Sequence, residues 1–346
     1  MYIQRIRVKN FELRTLNSEL LNSYFCQMRI LFIYLLFLTT VQSHSQILIP
    51  SFDVQGHRGA RGLQPENTIP AFITALDFGV KTVEMDLAIT KDKQVIVSHE
   101  PWISAEFCLN PEGKSFSNKE ELKYNIYQMV YEDVKKWDCG TKPHERFLEQ
   151  QKFKVSKPLL SEVIVAVENH IKSYTKYEVD YNIEIKSEPK GDNKFHPTPE
   201  VFSDMVYQLI DQYLPLNRVV IQSFDFRVLK YWHEKYPEVR LAALVENNKS
   251  VDTNLDELGF IPSIYSPDFK LLSKEIVKQL HEKEFILTEK QKAEKLKSKL
   301  RVIPWTVNEE KDMLVAKGMG VDGFITDYPD RAAKFKWTLM IKSKQY

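Results

Sequence analysis

Residues 82–88 read Thr-Val-Glu-Met-Asp-Leu-Ala, and residues 181–186 follow the same pattern as Tyr-Asn-Ile-Glu-Ile-Lys. In an extended strand, successive side chains point to opposite faces. Each segment therefore turns apolar side chains to one face and mainly polar or charged side chains to the other. Charged side chains are expensive to bury unless a partner compensates them. The two segments thus predict strands that pack against helices on one face and line a polar interior on the other.

In the sequence before, between and after these two segments, short runs rich in β-branched residues alternate with longer stretches that have helical periodicity. This alternation is typical of βα units around a parallel sheet. The expected strands are 53–56, 82–88, 94–99, 181–186, 218–223, 240–245, 263–266, 301–306 and 323–326, which give eight positions if the second and third count together. The expected helices are 68–78, 161–173, 199–213, 226–235, 273–283 and 309–317.

An open doubly wound sheet would also fit this alternation. The charged faces of the strands favour a closed α/β fold, the TIM (β/α)8 barrel, in which they surround the mouth of the interior. Residues 100–157 interrupt the repeat with a segment rich in charge, Pro, Asn and Lys. Because this insertion directly follows an early strand, we expect an inserted lobe over the C-terminal face. A lid that shapes the substrate site and an inert surface lobe both fit it. The Lys-rich run 289–299 is expected to be a solvated helix.

The N-terminal region has the features of a secretory signal. Residues 28–46 contain a Met-Arg start, an apolar run over 30–38 and small residues at Ser43 and Ser45. The apolar run is shorter than the roughly 20 residues that span a bilayer, which favours cleavage over a membrane anchor. We therefore expect residues 1–45 to be an extension with a signal peptide and residues 46–346 to be the barrel domain. The expected location is periplasmic or secreted, with no stable membrane insertion after cleavage.

Cysteine usage fits an oxidising compartment. Cys26 lies in the segment expected to be lost, which leaves Cys108 and Cys139 in the inserted lobe. These two cysteines can pair as a disulfide, and two separate thiols are the alternative.

The overall charge argues against a nucleic-acid partner. Lys and Arg total 48 against 47 Asp and Glu, a formal net charge of +1. No excess of basic charge is present to hold a phosphate backbone.

Three carboxylates fall on the charged faces of the two central strands: Glu84, Asp86 and Glu184. Such hard oxygen ligands suit Ca²⁺ or Mg²⁺. The alternative is a barrel interior held by ion pairs, in which Lys186 neutralises one acid.

The first strand ends in Gly-His-Arg-Gly-Ala-Arg-Gly at residues 56–62. The Arg58 guanidinium matches phosphate oxygens in a bidentate way. His57 can act as a general acid or base, and His99 is expected to close the strand 94–99 at the same edge of the sheet.

These residues resemble the glycerophosphodiester phosphodiesterase family, over nearly all of the chain beyond the signal segment. The matching motifs are His-Arg-Gly (57–59), Pro-Glu-Asn-Thr (65–68), Glu-Met-Asp (84–86), His99, Glu-Ile-Lys (184–186), Gln-Ser-Phe (222–224), Pro-Trp-Thr-Val-Asn (304–308) and Gly-Phe-Ile-Thr-Asp-Tyr-Pro (323–329). The resemblance implies a TIM barrel with an inserted lobe. It also implies metal-dependent hydrolysis of a small-molecule glycerophosphodiester to glycerol phosphate and an alcohol.

The resemblance further implies roles for single residues. Glu84, Asp86 and Glu184 match the ligands of one divalent cation, and His57 and His99 match the acid/base pair. Arg58 and Lys186 match phosphate contacts, and Trp305 matches an aromatic that lies against the glycerol part; Trp305 could also be a packing residue. Glu66 and Asn67 are expected to brace the His57 loop. The chain departs from the family at Glu100, where Asp is common, so its acidic neighbour of His99 has a longer reach.

Two other functions fit the same fold. One is a non-catalytic protein that binds glycerophosphodiesters. The other is a related barrel enzyme of the phospholipase D type that acts on intact phospholipids, and it would need an exposed apolar rim such as Trp102, Ile103 and Phe107. The nucleophile is either water or a substrate hydroxyl, and either histidine can be the acid.

Overall fold

The protein is described by a computed structural model that covers residues 51–293 and 297–339. The predicted signal segment lies outside these described residues. The strands are β1 (Asp53–Gly56), β2 (Thr82–Ile89), β3 (Val95–Val97), β4 (Asp180–Ile185), β5 (Val219–Ser223), β6 (Arg240–Val245), β7 (Ile264–Pro267), β8 (Arg301–Val302) and β9 (Gly323–Thr326). All nine expected strands are present, although β8 is much shorter than predicted.

Eight of these strands form a parallel barrel. Their order is β8-β7-β6-β5-β4-β2-β1-β9, and neighbouring strands in this path pair in parallel. Backbone hydrogen bonds close the ring between β8 and β9, from the amide of Asp322 to the carbonyl of Val302 and from Ile325 to Pro304, each at 2.9 Å. The predicted (β/α)8 architecture is confirmed, and the open doubly wound alternative is excluded.

Helices follow most strands and form the outer layer, and the insertion contributes two further short helices. The helices are α1 (Ile69–Asp77), α2 (Asn118–Glu121), α3 (Tyr131–Val134), α4 (Leu160–His170), α5 (Pro199–Tyr213), α6 (Phe226–Lys235), α7 (Val251–Leu258), α8 (Lys274–His281), α9 (Glu289–Ala293), α10 (Glu310–Met319) and α11 (Pro329–Lys334). Of the predicted solvated helix 289–299, the short α9 is helical, residues 297–299 are not, and residues 294–296 lie outside the described part. Over residues 51–293 and 297–339, no helix has both the length and the apolar character that crossing a bilayer requires.

The alternation of side chains along the strands divides the core as predicted. Val83, Met85 and Leu87 pack outward against the helices. The barrel interior contains a small apolar cluster that includes Ile264 and Ile303. Near the strand starts the interior is polar, where Thr82 and Arg301 both donate to Asp53, at 2.7 and 2.9 Å. The candidate site residues project into the interior at the other end.

The third strand runs in a direction that the sequence did not predict. β3 pairs antiparallel with β2, with Val97 opposite Leu87. The chain therefore passes beyond the barrel mouth along β2, turns, and comes back along β3. His99 reaches the level of Asp86 because the chain returns there, since the Ser98 amide donates to the Asp86 carbonyl at 2.9 Å. β3 ends at Val97, two residues before His99, so the expected strand end at His99 was wrong, but His99 still lies at the same mouth of the barrel as the other site residues.

The insertion over residues 100–157 has a small core of its own. It contains α2, α3 and a single 3-10 turn, Ile126–Gln128. Ile103, Phe107 and Trp137 are buried within it. A disulfide joins Cys108 to Cys139 across 31 residues, which confirms the pairing of the two cysteines.

Candidate active site

The predicted site residues converge at the C-terminal mouth of the barrel, around a cavity of about 200 Å³. Seven of the eight candidates line it: His57, Arg58, Glu84, His99, Glu184, Lys186 and Trp305. The eighth, Asp86, lies beside Glu84 and Glu184. Arg146 from the insertion also lines this cavity, so the inserted lobe forms part of its wall.

Strand register brings the three carboxylates together. Asp86 of β2 lies opposite Glu184 of β4 in the parallel ladder. Glu84 precedes Asp86 by two residues and shares its face of the strand. One ligand oxygen from each of the three side chains lies within 4.8 Å of the others. Sequence reasoning predicted this convergence, and the structure shows it.

The electrostatics of this group fit a cation. Burial and the neighbouring carboxylate of Asp86 raise the pKa of Glu84 well above its usual value. Burial also raises the pKa of Glu184. One carboxylate oxygen of Asp86, Oδ1, is buried and makes no hydrogen bond. Three acidic oxygens with one oxygen left unsatisfied form a group that could hold a metal ion.

Arg58 anchors the loop after β1 to the carboxylates. Its backbone amide donates to Glu84 at 2.7 Å. Its Nη1 donates to both oxygens of Glu66, at 2.9 and 3.1 Å, and its Nε lies 3.2 Å from Asp86. Although burial opposes ionisation of Asp86, Arg58 holds the pKa of that carboxyl well below its usual range. Two acids therefore already engage Arg58, the expected phosphate contact, and fix its guanidinium at the cavity wall.

The residues expected to brace the His57 loop do make hydrogen bonds there. Glu66 holds the side chain of Arg58. The backbone amide of Asn67 donates to the Arg58 carbonyl at 3.0 Å, and its side-chain amide donates to Asp86 at 2.8 Å. Asn67 therefore connects the loop directly to the candidate metal ligands.

His57 is held by an acid from the far end of the chain. Its Nδ1 lies 2.7 Å from Oδ1 of Asp327, which directly follows β9. Arg61 donates to both oxygens of Asp327, at 2.7 and 3.0 Å, and Asn308 donates to it at 2.7 Å. Burial and the nearby Arg61 lower the pKa of His57 to about 4. The imidazole is therefore uncharged at neutral pH, with Nδ1–H donating to Asp327 and Nε2 able to accept a proton.

His99 lies between an acid and a base on the other side of the cavity. Its Nδ1 is 2.6 Å from Glu100, and its Nε2 is 2.8 Å from the ammonium of Lys186. Glu100 therefore reaches the imidazole despite its extra methylene. Lys186 also lies 3.3 Å from Glu184, so it connects the histidine to the carboxylates.

Trp305 forms the wall next to Phe224. Its indole Nε1 donates to the Ser266 carbonyl at 2.9 Å, which fixes the plane of the ring. The two rings meet edge to face with centroids 5.4 Å apart. The indole is half-buried and turned toward the cavity, where it can contact a bound molecule as well as pack.

Comparisons with known proteins agree with this geometry. The model of the glycerophosphoryl diester phosphodiesterase family matches residues 57–331. The chain belongs to this family. It is 27% identical to a glycerophosphodiester phosphodiesterase of Bacillus altitudinis over 81% of this chain and 96% of the relative. It is 28% identical to one of Bacillus subtilis over 81% of this chain and 85% of the relative.

Solved structures share the fold. An Oleispira antarctica phosphodiesterase in complex with the product sn-glycerol-3-phosphate matches with a TM-score of 0.60 and 19% identity. The match covers 83% of this chain and 96% of that structure. Family membership confirms the predicted family and the predicted enzyme class, a phosphoric diester hydrolase.

Sequence reasoning assigned no role to several residues that the structure brings into the site. Asp327 and Gln222 lie in quoted motifs, and Gln222 donates to Glu84 at 2.8 Å. Asn308 completes the Asp327 network. Lys157, at the end of the insertion, is buried near Glu100, and burial lowers its pKa. A polar residue directly after a strand was the available signal for Asp327, because β9 pairs with β1.

Proposed function

We propose that the chain hydrolyses glycerophosphodiesters to glycerol phosphate and an alcohol, with one divalent cation and two histidines at the reaction centre. The observation that carries the proposal is that two imidazoles, each with an acid partner, line the same cavity as the carboxylate group. A phosphate bound there would have His57 and His99 beside it.

The cation would be held by Glu84, Asp86 and Glu184, and oxygen ligands favour Ca²⁺ or Mg²⁺. When bound, a divalent cation neutralises phosphate charge and stabilises the transition state. Lys186 and the guanidinium of Arg58 add positive charge at the same wall. Preorganised cations of this kind stabilise the charge that develops on phosphate oxygens.

The environments of the two histidines suggest different roles. His57 is uncharged at neutral pH and keeps Nε2 available, so we assign it proton acceptance from the nucleophile. Glu100 would stabilise His99 when that imidazole carries a proton, so we assign His99 donation to the leaving oxygen. Trp305 would lie against the glycerol part of the substrate.

We also propose that the domain over residues 46–346 is exported to the periplasm or beyond the cell after loss of residues 1–45. The disulfide between Cys108 and Cys139 supports this location, because such bonds persist in oxidising compartments. The near balance of charge supports a small-molecule partner rather than nucleic acid.

Phosphorus-31 NMR of the purified full-length chain with glycerophosphodiesters tests the proposal. We expect glycerol phosphate to form with added Ca²⁺ or Mg²⁺, and formation to stop with a chelator and resume when the ion is restored. Turnover that is unaffected by the chelator would remove the metal from the mechanism. No turnover with any glycerophosphodiester would favour the non-catalytic binding protein.

The phospholipase D alternative loses its main support. Of the three residues that would form an exposed apolar rim, Ile103 is 0% exposed and Phe107 is 5% exposed. Both belong to the core of the insertion, and only Trp102 is partly accessible.

A further inference from the structure

A second cavity, of about 270 Å³, opens beside the candidate active site. It lies between the start of the insertion and the loop that follows β4. It shares Glu184, Lys186 and Phe224 with the first cavity, so a molecule bound at the carboxylates can extend into it. Its remaining wall is formed by Pro101, Trp102, Ser187, Glu188, Phe195, His196 and Ser223.

Aromatic rings form much of this wall. Trp102 and Phe195 are half-buried and meet edge to face, with centroids 5.7 Å apart. Phe224 remains 41% exposed at the boundary with the first cavity. The ammonium of Lys194, which does not line the cavity, lies 5.0 Å from the centroid of Phe195. One ring of this wall thus already contacts a cation.

The polar side chains of the cavity are largely engaged with the protein itself. The Ser187 hydroxyl donates to Asp225 at 2.7 Å, and the Ser223 hydroxyl donates to the Ile185 carbonyl at 2.7 Å. His196 Nδ1 donates to the Pro197 carbonyl, and its Nε2 accepts from the Glu188 amide. A ligand rich in hydroxyl or N–H groups would find few free partners here.

Glu188 supplies a negative charge at the same place. Its side chain is exposed and, within the described residues, has no ion pair or side-chain hydrogen bond. Aromatic faces beside a carboxylate attract a cation, and a quaternary ammonium suits them because it has no hydrogen-bond donors to satisfy. A primary ammonium has three donors and would lose more on leaving water.

We propose that this cavity binds the alcohol part of the substrate and selects a trimethylammonium head group of the choline type. The proposal rests on the proposed function, since the phosphate at the carboxylates places the head group beside Trp102 and Phe195. The rings contact the methyl groups, and Glu188 balances the charge.

The test compares two substrates of nearly the same shape. One is glycerophosphocholine, and the other is its neutral analogue, in which 3,3-dimethylbutanol replaces choline. For the full-length chain with Ca²⁺, we expect kcat/KM to be about tenfold higher for the choline ester, which corresponds to about 1.4 kcal/mol of charge-dependent attraction. A ratio near one would show a merely apolar pocket and would overturn the proposal.

Three variants test which side chains cause the preference for the choline ester. Trp102→Leu and Phe195→Leu keep apolar bulk but remove a ring, and each should lower the ratio several-fold. Phe116→Leu is the matched control, because Phe116 packs within the same insertion, against Tyr124 and Trp137, and lines neither cavity. It should keep the wild-type ratio. The ratio does not depend on the fraction of folded enzyme, so a loss of yield leaves it interpretable.

A binding measurement separates this proposal from the proposed function. Tetramethylammonium should bind the metal-free chain in a ligand-observed NMR titration, and Trp102→Leu and Glu188→Gln should weaken that binding. Binding without any hydrolysis would reject the proposed function and keep the cation site. Hydrolysis of all head groups at equal rates, with no tetramethylammonium binding, would reject the cation site alone.

Discussion

The burial of His57 predicts a specific dependence of stability on pH. Burial and Arg61 lower the pKa of this imidazole from 6.5 to about 4. The unfolded chain therefore binds a proton at this residue in a pH range where the folded protein does not. Stability must then fall as the pH falls through this range, because protons favour the state that binds more of them.

The size of the effect follows from the two pKa values. The full difference corresponds to about 3 kcal/mol, at 1.36 kcal/mol for each pKa unit. Between pH 7.5 and pH 5 the contribution of His57 amounts to about 2 kcal/mol, since most but not all of the range is crossed. Asp327 stays ionised over this range, because Arg61 and His57 overcome the effect of burial and hold the pKa of Asp327 well below its usual value.

Urea denaturation of the wild type and of His57→Gln, both in chelator, measures the contribution of His57 to the pH dependence of stability. The free energy of unfolding should fall by about 2 kcal/mol more in the wild type than in the variant between pH 7.5 and pH 5. Between pH 7.5 and pH 9 the two proteins should change equally, because His57 is uncharged in both states there, and this range is the control. Equal pH dependence of the two proteins at acidic pH would refute the assigned burial of His57.

Three further changes have defined outcomes. Glu184→Gln removes one candidate ligand. In parallel denaturation curves, Ca²⁺ at 100 times its Kd should raise the unfolding free energy of the wild type by about 2.7 kcal/mol. The same Ca²⁺ concentration should barely change the unfolding free energy of the variant. Equal stabilisation would contradict the ligand assignment. Asp327→Asn removes the acceptor that orients His57, so steady-state assays should show kcat lower by on the order of 10²-fold or more with KM little changed; an unchanged kcat would contradict this role. Replacing Cys108 and Cys139 by Ser should lower the free energy of unfolding by about 3 to 4 kcal/mol for a bridge across 31 residues. A reductant should weaken the wild type similarly and leave that variant unaffected.

Most of the barrel could be predicted because its strands are short β-branched runs with clear alternation. The bounds of β1, β6 and β9 coincide with the predicted ones. β8 is only two residues long, although the Ile303 and Trp305 amides still donate to carbonyls of β7, each at 3.1 Å. The helix α7 was missed, although Ser250 caps its start by accepting from the Thr253 amide and Gly259 ends it in a left-handed conformation. Its three apolar positions were too few to distinguish it from a loop.

The direction of β3 could not be predicted from periodicity. Alternation along 94–99 indicates a strand, but a parallel and an antiparallel partner give the same alternation. The connection decides between them, because a parallel neighbour needs a crossover of a dozen or more residues. Only five residues separate β2 from β3, so loop length was the signal for a hairpin.

The reacting groups could be predicted, and the residues that orient them could not. Glu84, Asp86 and His57 can be recognised in the sequence, because charged or imidazole side chains at the ends of buried strands need a partner or a function to compensate for their burial. Asp327 is separated from His57 by 270 residues, and only closure of the barrel makes them neighbours. Local sequence shows which groups are unusual, whereas their hydrogen-bond partners depend on which strands become adjacent.

The charge balance around the cavity gives an independent reason for a divalent cation. Asp86 lies 3.2 Å from Arg58 and Glu184 lies 3.3 Å from Lys186, and Arg58 is shared with Glu66. Glu84 has no ion pair within the described residues. The three candidate ligands therefore carry more negative charge than their basic partners balance. The raised pKa values of Glu84 and Glu184 have the same origin, because without the ion a bound proton is the remaining means of neutralising a buried carboxylate. An ion bound here would compete with protons for the same oxygens, and this competition would link metal binding to pH.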